Sequence, residues 1–205
     1  MSRLLRIDAS SRTSGSYSRE MADFFQQAWF KAHPGDEIVV RDLAAYPLPH
    51  IAEQTIAGFY TPGEQHDDAL KAATALSDEL IKELLAADVL IISAPMYNFS
   101  LPSALKAYID QIVRINHTFA IDPEKGFQGL VSGKRAYIFT AYGAVFSNEA
   151  MAAYDFFTPY LKFLLGFLGI TASEFFPVEG TTLDEAALVH SKNTAKKRIE
   201  ALFRS

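Results

Sequence analysis

Val89-Leu90-Ile91-Ile92 offers no side chain that water would solvate well. Successive residues of a strand face opposite ways, so such a run is satisfied only in a strand covered on both sides, the usual setting of a parallel sheet. Helical periodicity flanks it. Leu70, Ala73, Leu76, Leu80, Ile81, Leu84 and Leu85 form one stripe of a helix predicted over residues 67–87. Beyond the run, Leu101, Ala104, Leu105, Tyr108, Ile109, Ile112 and Val113 recur in steps of three and one, with Pro102 suited to the first helical turn.

The alternation extends along the chain. Leu4, Leu5 and Ile7 predict a first strand ending at Asp8, and "EIVVRDL" predicts a second. Between them Met21, Ala22, Phe24, Phe25, Ala28 and Trp29 predict a helix from Ser18 that stops at His33-Pro34-Gly35. "KRAYIFTAYG" and "ITASEFFPV" supply the fourth and fifth strands, with helices over residues 149–168 and 183–203. Residues 44–65 mix Pro47, Pro49, Gly58, Pro62 and Gly63 with Tyr46, Phe59 and Tyr60, and read as a lid or contact arm. The pattern predicts a single α/β domain over residues 1–205, a doubly wound five-stranded parallel sheet with helices on both faces. Ligands in such sheets bind beyond the carboxyl ends of the strands, which singles out the loops at residues 9–18, 94–100 and 140–146.

Composition excludes several functions. Hydrophobic residues are 49% and charged residues 21% of the 205, ordinary globular usage. A net charge of -5 leaves no basic face for nucleic acid, and "KKR" at Lys196 to Arg198 reads as a solvated helix surface. The absence of cysteine rules out disulfides, thiolate metal sites and cysteine nucleophiles, and suits a reducing compartment. No signal peptide is read in "MSRLLRIDAS", and the apolar window at residues 160–170 falls short of the roughly 20 residues that span a bilayer. The expectation is a soluble cytoplasmic protein without a membrane partner. The five histidines have no metal-ligand spacing, so no metal is expected. A hydrolase reading lacks G-x-S-x-G, and "GLVSGKRA" precedes a strand where a phosphate loop must follow one.

The three loops carry complementary chemistry. The first holds Ser10, Ser11, Thr13, Ser14, Gly15, Ser16 and Ser18 ahead of a helix N-terminus, where unpaired N–H groups and hydroxyls suit a phosphate monoester or, more simply, cap the helix. It has neither the lysine of a nucleotide triphosphate loop nor the G-x-G-x-x-G of a dinucleotide fold. The second offers Asn98 to the polar edge of a heterocycle and Met96, Tyr97 and Phe99 to its face, unless these are plain packing. In the third, Thr140 and Gly143 flank Ala141 and Tyr142, with Gly143 either a turn residue or a point of close ligand approach. A phosphate at one end and a planar ring at the other point to FMN.

The block "PMYNFSLPSALKAYIDQIVR", with "GL..GK.A" before the fourth strand and "YL...LGF.GI" at residues 160–170, resembles the FMN-dependent NADH:azoreductases, flavodoxin-like quinone and azo-dye reductases. The resemblance implies non-covalently bound FMN touching Ser10, Ser16, Tyr17, Ser18, Met96, Tyr97, Asn98, Phe99, Thr140, Ala141, Tyr142 and Gly143. It implies a ping-pong reaction in which NADH or NADPH reduces the flavin and a quinone or azo compound reoxidises it, with no catalytic side chain. It further implies a homodimer with the flavin at the interface, where residues 44–65 and Phe119, Tyr154 and Phe157 either cover a neighbour's flavin or, for the last two, pack internally. Many such proteins have Ser-Arg-Gly-Gly where this chain has Thr140-Ala141-Tyr142-Gly143, a lost cation that Arg12 is expected to offset in part. A flavodoxin-type electron carrier without its own substrate site is the alternative.

Overall fold

A computed structural model describes residues 1–204 of the chain. In order, the elements are β1 (Arg3–Asp8), α1 (Tyr17–Ala32), β2 (Glu37–Asp42), α2 (Glu53–Tyr60), a short 3-10 turn (Gly63–Gln65), α3 (Asp68–Ala86), β3 (Val89–Pro95), α4 (Ser103–Ile112), β4 (Phe119–Asp122), β5 (Gly126–Gly129), β6 (Arg135–Ala141), α5 (Glu149–Ala152), α6 (Thr158–Leu168), β7 (Ala172–Val178) and α7 (Glu185–Ala201). Five strands pair in parallel in the order β2-β1-β3-β6-β7. The expected doubly wound sheet is present, and its winding reverses between β1 and β3.

Val89-Leu90-Ile91-Ile92 lies in β3, the central strand. Leu90 and Ile92 join Leu5, Ile7, Ala136 and Ile138 in a cluster with Leu80, Leu84, Leu105, Ile109, Leu161 and Leu165 of α3, α4 and α6. Val89 and Ile91 face the other way, with Leu4, Tyr137, Phe139 and Phe176, onto Met21, Phe25 and Trp29 of α1 and Ala195 and Ile199 of α7. Two-residue alternation thus feeds both cores from the same strands. At roughly 1.5–3 kcal/mol for each large apolar side chain withdrawn from water, these two layers provide the main drive for folding.

Three segments differ from expectation. Residues 44–65 contain α2, begun at Ala52, whose N–H donates to Thr55 Oγ1 at 3.3 Å. The helix expected over residues 149–168 is two helices, because Asp155 Oδ1 accepts from Phe157 N at 2.9 Å and Thr158 N at 2.8 Å and so starts α6 afresh, with Pro159 in its first turn. Between α4 and β6 an unexpected antiparallel hairpin, β4 with β5, stands outside the main sheet.

That hairpin is anchored by a backbone contact. A Cβ on Gly129 would lie 2.3 Å from Gly169 N and from Leu168 C, and Leu168 O accepts Val131 N at 2.8 Å. The motifs "GL..GK.A" and "YL...LGF.GI" therefore meet, glycine against glycine. Gly129→Ala is expected to destabilise the fold by about 3 kcal/mol; a urea midpoint unchanged from wild type would contradict this contact.

Candidate functional site

Parallel pairing brings the carboxyl ends of β1, β3 and β6 to one edge, where Asp8 lies opposite Ser93 and Pro95 opposite Ala141. In the first loop Ser10 is buried and its Oγ accepts Arg12 N at 3.2 Å. Ser16 is the N-cap of α1; its Oγ accepts Arg19 N at 3.5 Å and lies 3.2 Å from Ser18 Oγ. Tyr17 and Ser18 open the helix, where backbone N–H groups have no helical acceptor. The capping reading is realised in Ser16, and the N–H groups of Tyr17 and Ser18 have no acceptor among the described residues, although Ser18 itself is buried.

The second loop is a strained tight turn. Tyr97 N donates to Ser100 O at 2.9 Å and Ser100 N to Tyr97 O at 3.0 Å, while Asn98 (φ 48°) and Phe99 (φ 68°) both lie in the left-handed region. Such geometry favours Asn-Gly, and a phenylalanine there costs about 1–2 kcal/mol. The turn presents Tyr97, Asn98 and Phe99 outward, with Phe99 50% exposed. Among the described residues the N–H groups of Asn98 and Phe99 have no acceptor in the chain. Half-buried Met96 is tied to the third loop through Met96 N donating to Ala141 O at 2.8 Å. Tyr97 OH lies 2.7 Å from Ser11 Oγ and accepts Ser11 N at 3.3 Å, joining the second loop to the first. Burial alone would raise the Tyr97 pKa; hydrogen bonds from Ser11 and Ser10, with the charge of Arg12, lower it.

Access in the third segment is uneven. Thr140, Ala141 and Tyr142 are buried, and the Tyr142 ring packs on Phe146 and Phe157 with its OH 2.6 Å from Thr158 Oγ1. Burial raises its pKa. The Tyr142 side chain is therefore withheld from a ligand, and its backbone is already engaged, the N–H donating to Val178 O at 2.8 Å and the carbonyl accepting Thr181 N at 3.0 Å. Gly143 is half-buried, and a Cβ there would meet only Thr182, no closer than 3.5 Å, so space remains beside its backbone. Phe157 is fully buried, which excludes it from covering a neighbouring site, whereas Tyr154 is exposed and packs on Phe99.

A family model described as flavodoxin-like fold matches residues 2–202. This chain belongs to that flavodoxin-like family. An FMN-dependent NADH:quinone oxidoreductase of Nostoc punctiforme is 49% identical over 186 residues, covering 90% of this chain and 89% of that protein. One of Xanthobacter autotrophicus is 53% identical over 171 residues, 82% of each chain. The crystal structure of an azoreductase from Bacillus anthracis superposes with a TM-score of 0.91 at 26% identity, covering 99% of both chains.

In this flavodoxin-like chain the loops rest on charged groups that the sequence reading missed. Leu4, Arg6 and Asp8 of β1 share a face, and Arg6, in a strand otherwise buried, needs partners. Its Nε donates to Asp8 Oδ1 at 3.0 Å and one terminal nitrogen to Asp23 at 2.6 Å and Gln26 at 2.9 Å, while Ser93 Oγ donates to Asp8 Oδ1 at 2.5 Å. Buried Glu179, just past β7, accepts Phe146 N and Ser147 N at 2.8 Å on one oxygen and Ser147 Oγ at 2.6 Å on the other. Glu179→Ala leaves those donors without acceptors and is expected to cost about 2–3 kcal/mol in chemical denaturation, with a loss below 1 kcal/mol contradicting the staple. Phe99→Gly relieves the turn while losing ring contacts, so flavin-free stability is expected within about 1 kcal/mol of wild type. Its flavin affinity is expected to fall at least about tenfold; an unchanged dissociation constant in flavin titration would mean that the strained ring does not serve the ligand.

Proposed function

We propose that this chain is an FMN-dependent NAD(P)H oxidoreductase that reduces quinones and aromatic azo compounds. The observation that carries the reading is the pair of donor sets that parallel pairing brings to one strand-end edge. At one end are the half-buried Ser16 hydroxyl and Tyr17 N–H, with Ser10 and Ser18 buried beside them; at the other are the N–H groups of Asn98 and Phe99 beside exposed aromatic rings. The first set suits a phosphate monoester and the second the polar edge and face of a fused ring. The unfilled space beside Gly143 suits the same ring. FMN, when bound, supplies the two-electron chemistry between the nicotinamide donor and the aromatic acceptor.

The residues of this chain bind and orient. Ser10, Ser16, Tyr17 and Ser18 would hold the phosphate, and Met96, Tyr97, Asn98, Phe99 and the backbone from Thr140 to Gly143 would hold the ring. N–H groups aimed at a heterocycle favour electron density accumulating on it during reduction, because they are already oriented. The names of the relatives, FMN-dependent NADH:quinone oxidoreductases and an azoreductase, support the same chemistry here. An electron carrier is less favoured, since those relatives are named as enzymes.

The chain is read as one domain, because β1, β3 and β6 feed both cores. A homodimer is supported by an exposed aromatic face on the hairpin and α6. Phe127 is 64% and Phe163 68% exposed, and Phe119 and Phe127 ring centroids lie 5.0 and 5.5 Å from that of Phe167. Among the described residues no helix is long and apolar enough to cross a membrane, and a chain free of cysteine suits the cytoplasm.

Purified protein is expected to show a flavin absorption spectrum that NADH bleaches and a quinone restores, without any reductase partner. A colourless protein that takes up no added FMN would overturn the reading. Asn98→Ala is expected to weaken FMN retention with the fold intact, as measured by flavin release on dilution and by circular dichroism; wild-type retention would return the turn to plain packing.

A further inference from the structure

We propose that Arg19 is a positioning residue for the phosphate end of the site, acting through the Ser10 carbonyl and the start of α1 without contributing its charge to the phosphate. The proposal rests on the FMN reading above. Arg19 lies in the first turn of α1, and its terminal nitrogens donate to Asp42 Oδ2 at 2.6 Å and Oδ1 at 2.7 Å. One of them also donates to Ser10 O at 2.9 Å, and the other lies 3.4 Å from Asp8 Oδ2. A single guanidinium therefore joins the helix that carries the open N–H groups to the ends of β1 and β2. Ser10 is held at its carbonyl by Arg19 and at its hydroxyl by Arg12 N, so the phosphate loop hangs from a fixed first residue.

Arg6 and Arg19 face Asp8 and Asp42, two cations against two anions, with Asp23 adding a further, exposed carboxylate. Arg12 aside, which is exposed in the loop and has no ion pair among the described residues, little positive charge is left to draw a phosphate, and from α1 the attraction falls to N–H dipoles and hydroxyls. The pair does not titrate in the working range. The hydrogen bond from Arg19 holds the Asp42 carboxyl down to about 2 and the same bond raises the pKa of Arg19. Stability from this depressed carboxylate is present above its ordinary pKa and is lost only as the pH falls toward 2. Arg19 Nε is buried without an acceptor among the described residues. An unpaired buried donor is a cost that folds rarely keep unless the rest of the group is needed. Lysine would supply a point charge and could not hold both Asp42 oxygens and the Ser10 carbonyl in one plane.

The test titrates the full chain, freed of flavin, with FMN and with riboflavin, following flavin fluorescence. Arg19→Lys is expected to weaken FMN by about tenfold while riboflavin, which lacks the phosphate, shifts by less than about twofold. Asp42→Asn, the second variant, is expected to weaken FMN with the same indifference to riboflavin. Were Arg19 instead a cationic ligand held in check by Asp42, Asp42→Asn would tighten FMN and steepen its dependence on salt; that result overturns the proposal. Equal weakening of FMN and riboflavin in both variants also overturns it, leaving a purely structural ion pair. A wild-type chain that binds neither flavin removes the FMN reading and this proposal together, whereas wild-type FMN binding with unaltered variants removes only the proposal.

Discussion

The double burial of β3, with β1 and β6 beside it, is the constraint on which the rest depends. Because alternate residues of these strands feed two separate cores, helices must cover both faces, and neither face is left for a ligand. Parallel pairing then gathers the carboxyl ends of the strands at one edge, where the chain leaves the sheet and backbone groups lose their ladder partners. The site follows from that loss. Its donors are the groups for which the sheet and α1 have no use: the first N–H groups of the helix and those of the turn after β3.

Such donors are effective only if they are held still, and buried ion pairs brace the bases of these loops. Arg6, Asp8, Arg19 and Asp42 form a nearly neutral buried lattice under the first loop, and Glu179 accepts three hydrogen bonds from the segment after β6. Surface ion pairs contribute little to stability, but these are buried, multiply hydrogen-bonded and placed at loop bases, where a removed partner leaves groups with nowhere to turn. Within the lattice the two guanidinium charges are spent on Asp8 and Asp42. A phosphate held by dipoles is less exposed to screening by salt than one held by a free cation.

How much of this was legible in the sequence depends on range. The sheet was, because two-residue and 3.6-residue periods are local and the Val89 to Ile92 run admits few settings. The three loops were, because they follow from strand ends. The break at Asp155 had a local signal, an acidic residue ahead of Thr158-Pro159, that the surrounding apolar residues obscured. The β4–β5 hairpin had almost none: its strands are four residues each, and what fixes it is Gly129 against Gly169, far apart in sequence. The ion lattice is equally non-local, since Arg19 meets Asp42 and Ser147 meets Glu179 across 23 and 32 residues. Arg6 gave the one hint, a charge in a strand with no wet face.

The strain at Asn98-Phe99 then has a physical place. A glycine at position 99 would satisfy the turn at lower cost, yet the phenylalanine keeps a positive φ and half its surface in water. Its ring is braced by Phe146 and Tyr154, and Phe99 O accepts Phe156 N at 3.1 Å. Phe146 is in turn set by Glu179 through its backbone N–H. The unfavourable backbone of the second loop is thus supported from the third, which is held from β7, and the sheet order places those strands side by side. Strain of about 1–2 kcal/mol persists where surrounding structure over-determines it. Here the over-determination runs through the same groups that leave the Asn98 and Phe99 N–H bonds free, so the strained conformation and the open donors are one feature of the fold.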